Sequence, residues 1–304
     1  MKCRNNLSLP VLLLLALPLV AQNNTVVLKR AFVEQYKDRA TIDVSFFVDH
    51  AHKRPNAPAV DGDLHVAGRA QKEVGLPMVA EVMNAAQPGE VAAVTEIHSV
   101  EGNKTQIPVT GVWRFWFEHP AKQQIQFAKV LVPANTNPDH SFEIHPITKV
   151  DKDDVTGAFQ PTVGFQPYDA ATAFAGYEKL KVTVSATSSA VSISASKAAY
   201  NYAEFEMTLA GSPKMLSDGG YAVLANVNGR ADESIASNIR MIFVPGTPPL
   251  QQLLSQKLDD GDTMHVIGIP RINLNAISSF VSASGGQTLS RKLPYEMIIV
   301  AVVK

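Results

Sequence analysis

Three short anchors recur in the same order in the two halves of this chain. Gly68-Arg69-Ala70 is matched by Gly229-Arg230-Ala231. Val109-Thr110-Gly111-Val112-Trp113-Arg114 is matched by Val266-Ile267-Gly268-Ile269-Pro270-Arg271, and Phe142-Glu143-Ile144 by Tyr295-Glu296-Met297. The first and second glycines lie 43 residues apart in one copy and 39 in the other; glycine to glutamate takes 32 and 28. Ordered anchors at near-constant spacing mark a duplicated unit, here of about 120 residues. The stretch Asp61–Arg69, DGDLHVAGR, opens the business end of the first copy, and Asp218-Gly219-Gly220 opens the second.

Within each unit the pattern is that of strands. Thr41 to Val48 alternates, with Ile42, Val44 and Phe46 on one face and Thr41, Asp43 and Ser45 on the other. Further strands are expected at Leu64–Val66, Met78–Met83, Val109–His119 and Ser141–Val150, with a helix at Glu90–Val100 between the third and fourth. Five strands with a helical insertion after the third are the layout of a small Greek-key barrel of the OB type. A glycine in the fourth strand of each copy, Gly111 and Gly268, suits a barrel strand that bends sharply. An immunoglobulin-like sandwich would need about seven strands and no mid-domain helix. The expected fold is therefore all-β: two tandem OB-fold-like five-stranded barrels with short helical insertions. The charged break at Asp151–Asp154 divides them, giving residues 22–154 and residues 155–304, the latter opening with a connector, a short helix near Ala170–Leu180 and a hairpin around Thr187-Ser188-Ser189.

The N-terminus carries Lys2 and Arg4, then an apolar run from Leu9 to Val20, then Ala21. The run is too short to span a bilayer, so residues 1–21 read as a secretory signal peptide and the expected location is periplasmic or secreted. Cys3, the only cysteine, falls within that segment, so the mature chain would carry no disulfide, no thiol nucleophile and no thiolate metal ligand. Without Lys2 and Arg4, the 27 Lys and Arg fall to 25 against 28 Asp and Glu. A weakly acidic chain without a dense basic run is poorly suited to neutralising phosphates, which makes nucleic acid an unlikely partner.

Seven of the eight histidines lie in the first unit: His50, His52, His65, His98, His119, His140 and His145. By strand parity Asp63 and His65 share an outward face, as do Glu143 and His145, and a barrel can bring these pairs together. Carboxylates and imidazoles so placed suit acid–base or metal chemistry. No spaced metal motif such as HExxH is present, so no metal ligand and no cofactor is assigned. On the fourth strand, Val109, Gly111, Trp113, Phe115 and Phe117 form the more apolar side and should fill the barrel. Arg114 and Trp116 then face outward as candidate ligand contacts, since an outward Trp beside Arg suits stacking on a sugar or a partner's side chain. The other reading of Trp116 is packing beneath the connector or the second barrel.

Asp61-Gly62-Asp63, with Pro77-Met78 opening the next strand, resembles the thermonuclease family of OB-fold nucleases. That likeness covers Asp61 and Asp63 only: the strand that follows carries Ala80-Glu81-Val82 and no arginine. A second resemblance spans the whole first unit. Asp61, Gly62, Asp63 and His65, then Thr110, Gly111 and Val112, then Glu143, Ile144, His145 and Pro146 are similar to the D-G-D-x-H, V-T-G-V and E-[IL]-H-P motifs of a set of uncharacterised exported bacterial proteins. It implies an exported small β-barrel and no reaction. The expected function is a non-enzymatic binding or scaffolding module for a glycan, a cell-envelope component or a protein partner. The alternative is a metal-dependent hydrolase of phosphoesterase or nuclease type, using Asp63, His65, Glu143 and His145.

Overall fold

The computed structural model describes residues 24–119, 122–129, 132–229 and 233–304. The signal-peptide reading of residues 1–21, and Arg230 and Ala231 of the repeat, lie outside the described residues.

The chain begins with β1 (Asn24–Lys29) and α1 (Arg30–Tyr36), then lays down β2 (Thr41–Ala51), β3 (Leu64–Arg69) and β4 (Met78–Val82). A 3-10 turn at Pro88–Glu90 leads into α2 (Val91–Val100), followed by β5 (Gln106–His119), β6 (Gln123–Ile125), β7 (His140–Val150) and β8 (Asp153–Asp154). The connector holds β9 (Tyr168–Asp169), α3 (Ala170–Lys179) and the hairpin β10 (Lys181–Ala186) and β11 (Ala190–Ala195). The second unit is β12 (Ala203–Leu209), β13 (Lys214–Met215), β14 (Tyr221–Asn228), β15 (Ser234–Phe243), α4 (Pro248–Ser255), β16 (Thr263–Ile272), α5 (Leu274–Ala283), β17 (Leu289–Lys292) and β18 (Tyr295–Val302).

Two closed five-stranded barrels result, with the same pairing scheme. In the first, β2 pairs antiparallel with β3 and β5, β3 with β4, and β5 with β7, and a parallel β4–β7 pair closes the ring. In the second, β12 pairs with β14 and β16, β14 with β15, and β16 with β18, and the parallel β15–β18 pair closes it. Closure removes every free sheet edge from each barrel. The strand alternation read from the sequence places Ile42, Val44, Phe46 and Val48 in the first core. Helices α3 and α5 start on a side-chain cap, where Asp169 accepts from Thr172 N and Asn273 from Ala276 N, and α4 opens on Pro248-Pro249.

The register tests the repeat directly. Gly111 and Gly268 each sit at a break in the pairing between the fourth and fifth strands. A Cβ on Gly111 would lie 2.8 Å from both the Ile147 Cα and the Pro146 carbonyl, so only glycine lets β7 approach there. Arg114 pairs with Glu143 and Arg271 with Glu296, at equivalent positions. The first anchor is offset. Ala67 pairs with Val79, which pairs with Glu143, whereas Leu224 pairs with Arg240, which pairs with Glu296. Gly68 therefore corresponds to Ala225, and Gly229 lies past the end of β14.

A third sheet, ordered β17-β10-β11-β1-β6, joins the barrels. It draws β1 from the lead-in, β6 and β17 from the loops between the last two strands of each barrel, and its centre from the connector hairpin. Residues 22–154 and 155–304 are thus interleaved: Thr25 Oγ1 and Ser194 Oγ lie 2.7 Å apart. The outer faces of β16 and β18 pack on the first barrel and the connector through Ile267, Ile269, Ile298 and Val300 against Val112, Phe159 and Tyr202. This explains why β18 is apolar on both sides.

Glu90 gives this fold a pH dependence. It is 3% exposed, and its Oε2 lacks a hydrogen-bond partner. Burial, helped by the charge of Asp154, pushes its pKa up to about 7. A carboxylate raised in the folded state stabilises fully below its unfolded value, and that contribution is lost as pH rises through the folded value. Glu90→Gln is expected to be the more stable protein at about pH 8, by about 1–2 kcal/mol after allowance for solvent screening. Urea melts of both proteins at about pH 5 and 8 check this; parallel pH slopes would refute it.

Candidate functional site

The outward face of the first barrel collects a buried polar network. Asp61 shapes its approach, accepting from Asp63 N at 3.0 Å and Asn56 Nδ2 at 3.0 Å, while Gly62 takes the left-handed φ of 78° that the turn needs. This aims the Asp63 carboxylate inward, where Oδ2 accepts from Tyr202 Oη at 2.6 Å and Oδ1 from Asn84 N at 3.3 Å. His145, on β7, places Nε2 at 2.8 Å from Tyr202 Oη, 3.2 Å from Asp63 Oδ2 and 3.7 Å from Glu81 Oε2. Glu81 lies across from His65 in the β3–β4 register, with His65 Nε2 at 3.3 Å from Glu81 Oε2. The His65 ring stacks on His52, centroids 5.0 Å apart.

Glu143 links this group to a second one. Its Oε2 is 3.6 Å from His145 Nδ1 and accepts from Arg114 Nη1, while Oε1 meets His140 Nε2 at 3.1 Å. His140 Nδ1 is 2.6 Å from the Pro138 carbonyl, and its ring stacks on His119 at 4.8 Å. Arg114 also holds Glu118, at 3.0 Å. Two triads of donor atoms follow, Asp63/Glu81/His145 and His119/His140/Glu143, each with its atoms within 4.8 Å of one another.

The charges shift each other strongly. Burial disfavours the Glu143 anion, but Arg114 and hydrogen bonding from His140 outweigh it and hold the carboxyl well below the usual range. Burial likewise disfavours the His145 imidazolium, and Glu81 and Asp63 override it, so its pKa rises well above the ordinary value. Glu81 lacks an arginine, and desolvation raises its pKa despite His145 and His65. Burial pushes the Tyr202 phenol up, and Asp63 adds to the push, so it stays protonated as a donor.

Of the four residues expected to converge, His145 meets Asp63 and stands 3.6 Å from Glu143, whereas His65 reaches the group only through Glu81. Asp63 and His145 are fully buried and Glu143 nearly so, and His65 stands at the half-buried margin. Two participants were not singled out, Glu81 and Tyr202. Glu81 was visible as a lone charge in the apolar strand MVAEV. Tyr202 lies at the end of the connector, just before β12, and carried no signal. Asp49, on β2, lies apart from this group, bound by Arg69 at 2.7 and 2.8 Å.

Arg114 and Trp116, read as outward ligand contacts, do face away from the barrel core, but they are 0% and 1% exposed. Trp116 packs edge-on against Tyr177 of α3, centroids 5.7 Å apart. Arg114 is fixed by Glu143 and Glu118 and donates from Nε to the Pro270 carbonyl of the second barrel at 3.0 Å. A second layer covers this face, so neither residue is available to a ligand. Arg271 mirrors the last contact, donating from Nη1 to the Trp113 carbonyl at 2.9 Å. Each arginine thus reaches the carbonyl of the residue preceding the other, as across a two-fold axis.

A cleft of about 370 Å³ opens instead beside the ends of β3 and β4, under the loop between β5 and β7. Pro77, Met78, Ile125, Val132 and Pro133 line it, with Lys129 and Asp139. Ile125 and Val132 are 47% and 57% exposed. No family model and no curated protein matches the chain.

Proposed function

We propose that this protein is an exported, non-catalytic binding or scaffolding module that takes a glycan, a cell-envelope component or a protein partner in the first barrel's cleft. The exposed apolar wall of Ile125 and Val132 carries this reading. It sits where OB barrels recognise their ligands, along the second and third strands and the loop between the fourth and fifth. Apolar walls with a few charges at the rim suit a sugar face or an apolar side chain. Among the described residues no helix is long and apolar enough to cross a membrane.

The hydrolase reading gains from the meeting of Asp63, His145 and Glu143, with His65 beside Glu81. It loses because Asp63 and His145 are wholly enclosed and Tyr202 fills the space beside them. A substrate needs a face of that cluster, and the connector occupies it.

Expression in a bacterial host with fractionation tests the proposal. The exported protein should have an N-terminus near Gln22, and it should bind cell-envelope fractions or an arrayed glycan or protein ligand. Ile125→Asp with Val132→Asp should weaken that binding by at least about tenfold and leave the melting curve unchanged, because both side chains are exposed. Retention in the cytoplasm, or binding indifferent to the two aspartates, would overturn it.

A further inference from the structure

We propose that Asp63, Glu81 and His145 bind one divalent first-row transition-metal ion, of which zinc fits best, and that His65, which lies 3.3 Å from Glu81 but outside the triad, turns in as a fourth ligand.

The spacing of the donor atoms is the first argument. Ligands at about 2.0–2.2 Å from a tetrahedral ion stand about 3.3–3.6 Å from each other. Here Asp63 Oδ2 and His145 Nε2 are 3.2 Å apart, His65 Nε2 and Glu81 Oε2 3.3 Å, and His145 Nε2 and Glu81 Oε2 3.7 Å. Oxygens of three residues converge on His145 Nε2, and a single N–H satisfies one of them well; the Tyr202 hydroxyl, at 2.8 Å, takes that place. The two carboxylates are left at coordination-sphere distances.

The donor chemistry agrees. Two carboxylate oxygens and two imidazole nitrogens form a set suited to zinc, manganese, iron or cobalt. An ion would take the place of the proton that His145 Nε2 otherwise holds between Asp63 and Glu81, and its two charges cancel those of the two carboxylates in a site where bare charge is costly.

The surroundings are those of a supported site. Glu143 Oε2 stands 3.6 Å from His145 Nδ1, on the ring's far side from the Asp63 contact, positioned to orient it. Tyr202 Oη and Asn84 N fix the Asp63 carboxylate. His65 lies at the solvent margin, its side chain 14% exposed, and offers the ion a way in. The His119/His140/Glu143 triad is the weaker candidate. Arg114 already neutralises Glu143, and both His140 ring nitrogens already face acceptors. Because the connector's Tyr202 buttresses Asp63, an ion here would tie β3, β4 and β7 to the segment leading into the second barrel. Its role is structural, and it rests on no partner of the cleft.

The test uses the full mature chain. Protein stripped with a chelator is titrated with Zn²⁺ and, separately, with Co²⁺, with circular dichroism to follow the fold. One equivalent of zinc should bind and raise the melting temperature, or refold the protein if stripping unfolds it. Cobalt should give the visible bands of a low-symmetry, four-coordinate site that zinc then displaces. His65→Asn should weaken zinc affinity by at least about tenfold with the fold intact, whereas His98→Asn, at a surface histidine, should not. Stripped, folded protein without a saturable one-equivalent site would overturn the proposal, and so would a His65→Asn variant that binds as the parent does. Metal content is read without any cleft ligand, so a negative result here leaves the binding-module reading standing, and the converse holds too.

Discussion

Replacing Arg271 with methionine is expected to destabilise the protein by about 3–5 kcal/mol, the range for breaking a buried ion pair from one side. Arg271 is fully buried and donates to Glu296 Oε1 at 2.6 Å and to the carbonyls of Trp113, Ala40 and Arg39 at 2.9, 3.1 and 3.0 Å. Its guanidinium also lies over the Trp113 ring, 3.5 Å from the centroid. Methionine fills much of the volume and supplies no donor. The Trp113 and Ala40 carbonyls lose this donor, the Arg39 carbonyl keeps only Trp113 Nε1 at 2.8 Å, and Glu296 keeps only Arg240, at 2.7 Å. Arg271→Lys should recover little, because one ammonium cannot span the four acceptors of a planar fork. Burial lowers the Arg271 pKa to about 10 even with Glu296 beside it, whereas Arg114, with two carboxylates, is held above its ordinary value against the same burial. The second arginine is therefore the less secure of the two. Urea denaturation followed by tryptophan fluorescence measures the effect, since Trp113 reports the contact itself. A loss below about 1 kcal/mol would mean that the barrels do not depend on this contact.

Trp116→Ala should cost about 3–5 kcal/mol as well, by a different route. The side chain is 1% exposed and meets Tyr177 edge-on, so its removal leaves a cavity between the first barrel and α3. Its Nε1 has no hydrogen-bond partner. Trp116→Phe therefore removes an unsatisfied N–H along with some packing, and its cost should be clearly smaller. The measurement is a melting curve for each variant. An alanine variant that melts with the parent would return Trp116 to the status of a surface contact.

The two variants show what the sequence does and does not display. Strand alternation correctly put Arg114 and Trp116 on the outside of the barrel. It could not say that the outside is covered, because period two separates the two sides of a sheet and not protein from solvent. Where a barrel carries a second layer, its outer face is also interior. The full burial of Asp63 and His145 has the same cause. The repeat was legible at Gly111/Gly268 and Glu143/Glu296 because bulge and ion pair recur at one register. It failed at Gly229, where a matching tripeptide lies beyond the strand. The third sheet was largely hidden. Its strands β6 and β17 span only Gln123–Ile125 and Leu289–Lys292, too short for a periodic signal, and its partners are far apart in sequence. Glu81 was readable as a charge in an apolar strand, but Tyr202 reaches Asp63 and His145 from the other half of the chain.

That third sheet also sets the order in which the chain can finish folding. The first described strand, β1, finds its central partner β11 only after the whole first barrel has been made, and Thr25 and Ser194, which meet there, are separated by 169 positions. Contacts of such separation are slow to form, because the loop must close before they return any free energy. As the chain emerges from its N-terminus, the first barrel can curl up early while β1 waits as an open edge, vulnerable to pairing with other chains. The last edge strand, β17, pairs with β10 and is made just before the strand that closes the second barrel. Assembly of the two barrels is thus a single late event, gated by the C-terminal end. A chain stalled before Leu289 lacks β17 and β18, so β10 is left as an open edge and the second barrel stays unclosed, and aggregation of such truncated chains, set against the solubility of the full one, is the behaviour this architecture entails.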